Sequence, residues 1–259
     1  LCRSRYGDCN YYRKSLSKVI EGKFELSNDN TIRIIGTSFD LNSLKSLNQI
    51  LQKIIHDKNI KKININGNFN TKLQLDSIFN NTSKIDESLS LLNGITQTIE
   101  QSNIIFVAHV KGIMKGLALE LALSCNFIKA EVGTSLDFGF TNEGQIPFFG
   151  TIQRVIKVLG YKKALQIFLT NGKLSLEEAN TLNVINNETD NTIEKKKPFW
   201  DQDFTNTFIY FNSKIHSTYK NKKPAYNAIL SIIFESSICE YNVGISIEKR
   251  WAKWLILNN

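Results

Sequence analysis

The feature that most constrains this 259-residue chain is an apolar run, Ile104-Ile105-Phe106-Val107-Ala108-His109-Val110, that passes through Gly112 and Gly116 into Leu117-Ala118-Leu119-Glu120-Leu121-Ala122. The β-branched and aromatic run bounded by glycine reads as a strand. The leucine- and alanine-rich stretch after it reads as a helix. A strand feeding a tight turn and then a helix leaves the first helical N–H groups without intrahelical partners, pointing at one spot. Such a spot favours negative charge. Glu120 lies about one turn into the helix, so a carboxylate stands beside the donors. The pattern therefore pairs a backbone oxyanion hole with a candidate acid or base.

The rest of the chain supplies more units of the same kind. Thr31-Ile32-Arg33-Ile34-Ile35 alternates as a strand does, and Ile63-Asn64-Ile65-Asn66 is a second strand. Over residues 43–56, Leu44, Leu47, Ile50, Leu51, Ile54 and Ile55 recur at helical spacing and form a core-facing stripe. Residues 88–100 read as another amphipathic helix. Strands alternating with helices make an α/β protein. We divide it into an N-terminal extension over 1–29, a core over 30–190, and a linker with a C-terminal helical segment over 191–259. The charged stretch 187–197 reads as linker or exposed loop.

Composition removes several function classes. With 42% hydrophobic residues the chain can bury a sizeable core, yet no run approaches the roughly 20 apolar residues of a membrane-spanning helix. No secretory signal layout is visible at the start, so a cytoplasmic location is expected, with the mitochondrial matrix as the alternative. Cys2, Cys9, Cys125 and Cys239 show no C-x-x-C spacing and indicate neither a zinc site nor a disulfide framework; no metal is expected. The net charge of +8 comes from scattered lysines, and the densest basic run, Lys195-Lys196-Lys197, is short, so no nucleic-acid partner is expected. His56, His109 and His216 are isolated and read as packed or surface residues. There is no G-x-S-x-G and no G-x-G-x-x-G. Trp251 and Trp254, with Ile247 and Leu255, would form an apolar stripe for docking on the core or on a neighbouring subunit.

Several motifs in order carry a family resemblance. Val110-Lys111-Gly112, Gly116-Leu117-Ala118-Leu119, Glu120-Leu121-Ala122 and Cys125-Asn126 are followed by Gly144-Gln145-Ile146-Pro147 and Gly150-Thr151-Ile152-Gln153-Arg154. Gly160-Tyr161-Lys162-Lys163-Ala164-Leu165 and Leu169-Thr170-Asn171-Gly172 continue the series. Together they resemble the crotonase (enoyl-CoA hydratase/isomerase) superfamily. Lys223-Pro224-Ala225-Tyr226-Asn227-Ala228-Ile229-Leu230 and Gly244-Ile245-Ser246-Ile247-Glu248 look like the end of the hydratase domain in multifunctional fatty-acid oxidation α-chains. The resemblance implies an α/β fold of the crotonase type, a β-β-α spiral followed by a C-terminal helical segment. It also implies an acyl-CoA thioester as ligand, no cofactor beyond the coenzyme A of the substrate, and a homo-trimer or larger homo-oligomer with possible β-oxidation partner subunits.

The site residues follow from the same resemblance. Glu120 matches the first of two family glutamates. The second would stand seven residues before Pro147, where this chain has Phe140, a substrate-binding position that cannot carry a proton. Glu143 takes that role only if Phe138-Gly139 aligns with the family's F-G. The oxyanion donors would be the N–H groups of Thr71 and Leu117, with Gly116 beside the substrate. Lys72 stands where the family has a glycine, and Leu117 would narrow the room beside the thioester. The resemblance thus implies an enoyl-CoA hydratase/isomerase-like protein of fatty-acid β-oxidation, with isomerisation better suited than hydration to a single carboxylate. The alternative is a pseudoenzyme that binds CoA thioesters or serves in assembly.

Overall fold

The computed structural model describes residues 19–21, 23–170, 172–185, 202–220 and 222–258. The expected linker over 187–197, the basic run at 195–197, Cys2 and Cys9 lie outside these residues.

A six-stranded sheet forms the frame. Its strands are β1 (Val19–Glu21), β2 (Phe24–Ser27), β3 (Thr31–Ile34), β5 (Lys62–Gly67), β7 (Ile105–Val110) and β9 (Phe127–Ala130), in that spatial order. The first three pair antiparallel, and β3, β5, β7 and β9 run parallel. Parallel neighbours require crossovers, and helices supply them. Helix α1 (Leu41–His56) joins β3 to β5 by way of the short strand β4 (Ser38–Phe39). Its Leu44, Leu47, Ile50, Leu51 and Ile54 are buried, as their spacing requires, and Asp40 caps it by accepting the Ser43 N–H at 2.8 Å.

After β5 come β6 (Lys72–Leu73), α2 (Leu75–Ile78) and α3 (Ile85–Gln101), which leads into β7. Beyond β7, β8 (Ile113–Lys115) leaves the large sheet and pairs parallel with β10 (Ser135–Asp137), which in turn pairs antiparallel with β11 (Lys173–Ser175). Helix α4 (Leu117–Ser124) lies between β8 and β9. A 3₁₀ turn (Gly139–Glu143) and α5 (Thr151–Leu169), broken at Gly160 by non-helical φ and ψ, follow β10. The remaining helices are α6 (Leu176–Thr181), α7 (Gln202–Tyr219), α8 (Pro224–Ser236) and α9 (Tyr241–Asn258).

One expectation changes. The boundary drawn after residue 29 cuts through the sheet, because β2 pairs with β3 from Phe24↔Ile34 to Ser27↔Thr31, and Phe24 and Leu26 are buried. The sequence of β2 does not announce this hairpin, because Phe24-Glu25-Leu26-Ser27 contains no β-branched residue. The tryptophan stripe docks on the core except at one residue: Leu255 is buried, Ile247 and Trp251 pack against the core with Trp251 Nε1 donating to Glu235 Oε1 of α8 at 2.9 Å, and Trp254 remains 44% exposed.

Candidate active site

The turn between β8 and α4 can be made only by glycine. Gly116 has φ 61 and ψ −138, and a Cβ there would stand 2.2 Å from the Thr71 carbonyl oxygen. This contact brings the 69–73 segment against the start of α4. Thr71 Oγ1 donates to the Lys115 carbonyl at 2.8 Å and accepts the Ala118 N–H at 3.0 Å, so it caps the helix from a distant segment. The Leu117 N–H, at the first helical position, has no acceptor one turn back within the helix.

Glu120 is completely buried. Its Oε2 accepts the Thr151 hydroxyl at 2.7 Å and the Phe149 N–H at 3.2 Å. Its Oε1 is buried without a hydrogen-bond partner. Burial pushes the carboxyl up to about 7, against the lowering influence of the Thr151 hydroxyl, the Phe149 and Phe148 N–H groups and the Arg154 charge. A carboxyl fixed through one oxygen, without a partner at the other and titrating near neutrality can both take and return a proton.

A cavity of about 80 Å³ adjoins Glu120 and is lined also by Thr71, Gly116, Phe140, Glu143 and Phe148. Five of the six residues singled out from the sequence therefore line one cavity. Their arrangement differs from expectation in three respects. Leu117 is fully buried in the core and absent from the lining, so the narrowing comes from Phe140 and Phe148 instead. Thr71 is not a free donor, because its N–H is directed to the Lys115 carbonyl at 3.3 Å. The reason lies at Asn70, which bridges parallel to Lys115, so that the Lys115 N–H meets the Phe69 carbonyl and the Lys115 carbonyl takes the Thr71 N–H; Lys72, with no positive φ, continues as β6 beside Ser38 of β4. The segment thereby follows a strand path where the family's glycine would turn. Glu143, finally, stands at the rim, 43% exposed and ion-paired with Lys115.

Sequence reasoning missed Thr151, Phe148 and Lys115. The Gly150-Thr151-Ile152-Gln153-Arg154 motif marked the segment, but nothing in it indicated that the Thr151 hydroxyl would reach back 31 residues to Glu120. Arg154 of the same motif makes two hydrogen bonds to Glu100, at 2.8 and 2.9 Å, and a third to the Phe149 carbonyl. It thus secures the residue whose N–H holds Glu120. The isolated-histidine reading agrees with His109, which is exposed on β7 with Nε2 3.0 Å from Asn64 Oδ1. Cys125 donates to the Leu121 carbonyl at 3.3 Å, and burial pushes its thiol up to about 12. Among the described residues no group of three or more His, Cys, Asp or Glu is placed to hold a metal ion, and no helix is long and apolar enough to cross a membrane.

Residues 36–254 match the family described as enoyl-CoA hydratase/isomerase. The chain is 29% identical over 183 residues to the peroxisomal fatty acid beta-oxidation multifunctional protein AIM1 of Arabidopsis thaliana, covering 66% of this chain and 25% of that one. It is 31% identical over 104 residues to the enoyl-CoA isomerase/hydratase fer4 of Mycosarcoma maydis, covering 40% and 38%. The crystal structure of an enoyl-CoA hydratase from Mycobacterium avium subsp. paratuberculosis K-10 shares the fold, with a TM-score of 0.60 at 17% identity over 92% of this chain and 93% of that one. The chain belongs to the enoyl-CoA hydratase/isomerase family, and its fold is the α/β crotonase fold with a C-terminal helical segment. It spans a quarter of AIM1 and 58% of a Bacillus subtilis relative that is 25% identical over 158 residues.

Proposed function

We propose that the chain binds enoyl-CoA thioesters and shifts their double bond, with Glu120 carrying the proton. The supporting observation is the state of that carboxyl: pinned at Oε2 by Thr151 and Phe149, buried without a partner at Oε1, and carried by a residue that lines a cavity. In the proposed reaction Oε1 of the carboxylate removes a proton from C2 of a 3-enoyl thioester. The electron pair moves toward the thioester oxygen, and the enolate is stabilised by the positive N-terminal end of α4, whose N-cap Gly116 lines the cavity. Glu120 then returns the proton to C4, and the double bond comes to lie between C2 and C3. Hydration would need a second carboxylate to place water; Phe140 stands at the expected position, and the other two carboxylates of the lining are engaged, Glu143 with Lys115 and Asp137 with the Gly139 N–H. The acyl chain would continue past Phe148 and Gln145 into an adjoining apolar groove of about 400 Å³, lined by Leu75, Phe79, Ile146 and Leu255. A homo-trimer, β-oxidation partner subunits and a cytoplasmic or mitochondrial-matrix location belong to this same reading.

Two observations favour a second reading, a CoA-thioester-binding or assembly subunit without turnover. The cavity of about 80 Å³ is far below the roughly 300–1,000 Å³ of small-molecule sites, and the Thr71 N–H is already engaged. Assays of a trans-3-enoyl-CoA and of crotonyl-CoA separate the two readings. Isomerisation that falls roughly 100- to 10,000-fold in Glu120→Gln, without hydration, is the expected result. Thioester binding with no turnover of either substrate would favour the second reading.

A further inference from the structure

Glu248 lies on α9 and is not among the residues lining the cavity, yet it is 2% exposed and its Oε1 accepts the Gln153 N–H at 2.7 Å. Gln153 is the third residue of α5, whose N-cap is Gly150 and so has no side chain to offer the open N–H groups. Glu248 supplies that cap from another helix. The fit is close on every side. Gln153 Nε2 donates to Ser236 Oγ of α8 at 2.7 Å, and a Cβ on Gly244 of α9 would stand 2.2 Å from Gln153 Oε1. The same helix start presents the Phe149 N–H and the Thr151 hydroxyl to Glu120. Two carboxyl groups, one from α4 and one from α9, thus hold a single helix start between them.

We propose that Glu248 is a positioning residue for Glu120: by fixing the first turn of α5 from the C-terminal helix, it sets the two donors that orient the proton-carrying carboxyl. The proposal rests on the reading of Glu120 as the proton carrier. A displacement of about 1 Å in a reacting group costs roughly a hundredfold in rate, and both donors lie within four residues of the capped N–H. Burial pushes the Glu248 carboxyl up to about 8, against the lowering effect of the Gln153 N–H, so at neutral pH it is mostly protonated and a glutamine amide imitates it. The other ionisable groups packed on this helix start, Arg154 on α5, Glu100 on α3 and Tyr241 on α9, are left unaltered in the test.

The test compares Glu248→Ala, Glu248→Asp and Glu248→Gln in the full chain. Two readouts are taken: kcat and KM for a trans-3-enoyl-CoA, and the titration midpoint of Glu120 from its ¹³C-labelled carboxyl by NMR. The alanine and aspartate variants are expected to lower kcat roughly 10- to 100-fold with little change in KM, because they loosen geometry rather than substrate contacts. They also raise the Glu120 midpoint by about half a pH unit or more as its hydrogen bonds weaken, whereas glutamine restores both readouts. Lowered Tm with kcat and midpoint unchanged in the aspartate variant would overturn the proposal, and that variant decides if alanine does not fold. Should the wild-type chain turn over no enoyl-CoA, the catalytic reading fails. The midpoint alone then decides: shifted by aspartate and restored by glutamine, it upholds the positioning role; unmoved, it removes it.

Discussion

Of the three carboxylates that line the cavity, Glu120, Asp137 and Glu143, the first and the last divide its floor from its mouth. Glu120 at the floor is sealed from solvent and held by two donors, and its charge is opposed by burial. Glu143 at the mouth is 43% exposed, and its charge is matched by Lys115, whose ammonium is raised above its ordinary value chiefly by that hydrogen bond. The floor keeps a proton exchangeable near neutral pH. The mouth keeps a fixed charge pair that water can screen. Sequence position alone made both residues candidates, but depth and partners give them different chemistry.

The largest effect separating the two regions is expected from Glu120→Gln. Beyond loss of turnover, it flattens the dependence of stability on pH. The folded carboxyl titrates near 7 and not at its ordinary 4.5, so its stabilising contribution is full below 4.5 and is lost as pH rises through about 7. A tenfold difference in proton affinity between the folded and unfolded chain is worth roughly 1.4 kcal/mol, which puts the change at a few kcal/mol. Thermal melts at pH 5 and pH 8 should therefore diverge less in the variant than in the wild type. An unchanged divergence would mean that Glu120 is hydrated in solution.

A smaller effect is expected from Thr151→Val, which deletes one of the two donors and keeps the shape. A hydrogen bond to a charged group is worth about 1.5–3 kcal/mol, so kcat should fall by one to two orders of magnitude. The pH midpoint of kcat should move up, because the carboxylate loses support. A midpoint that stays or moves down would break the assignment of Thr151 as its anchor. The smallest effect belongs to the mouth: Glu143→Gln removes an exposed ion pair and should change stability by less than about 1 kcal/mol. A loss of turnover comparable with that of Glu120→Gln would erase the distinction between floor and mouth and return Glu143 to the catalytic pair.

The frame of the fold was legible because its signals are local and periodic. The stripe from Leu44 to Ile54, the apolar run ending at Val110 and the glycine at 116 each state their structure within a few residues. The hairpin at Phe24–Ser27 is not legible, since Phe24-Glu25-Leu26-Ser27 lacks the β-branched residues that mark Thr31–Ile34 and Ile63–Ile65 as strands. At the site, residue types predicted proximity better than they predicted hydrogen bonds. Thr71, Gly116, Glu120, Phe140 and Glu143 do meet, yet the direction of the Thr71 N–H is set by the parallel bridge between Asn70 and Lys115, a pairing of distant segments. Likewise, no local signal announces that Thr151 and Glu248 serve the start of α5, because both contacts link segments far apart in the chain.

That remoteness bears on how the molecule is made. Gln153 waits 95 residues for Glu248, and Glu100 waits 141 for Tyr241. In synthesis from the amino terminus, Glu120 and its helix emerge well before the helix that braces their neighbours. Contacts of such long range form after local ones, since the entropy of closing the intervening loop must be met first. Until α9 docks, the Gln153 N–H lacks the Glu248 carboxyl that caps it, so the helix start that holds Glu120 is completed from the far end of the chain.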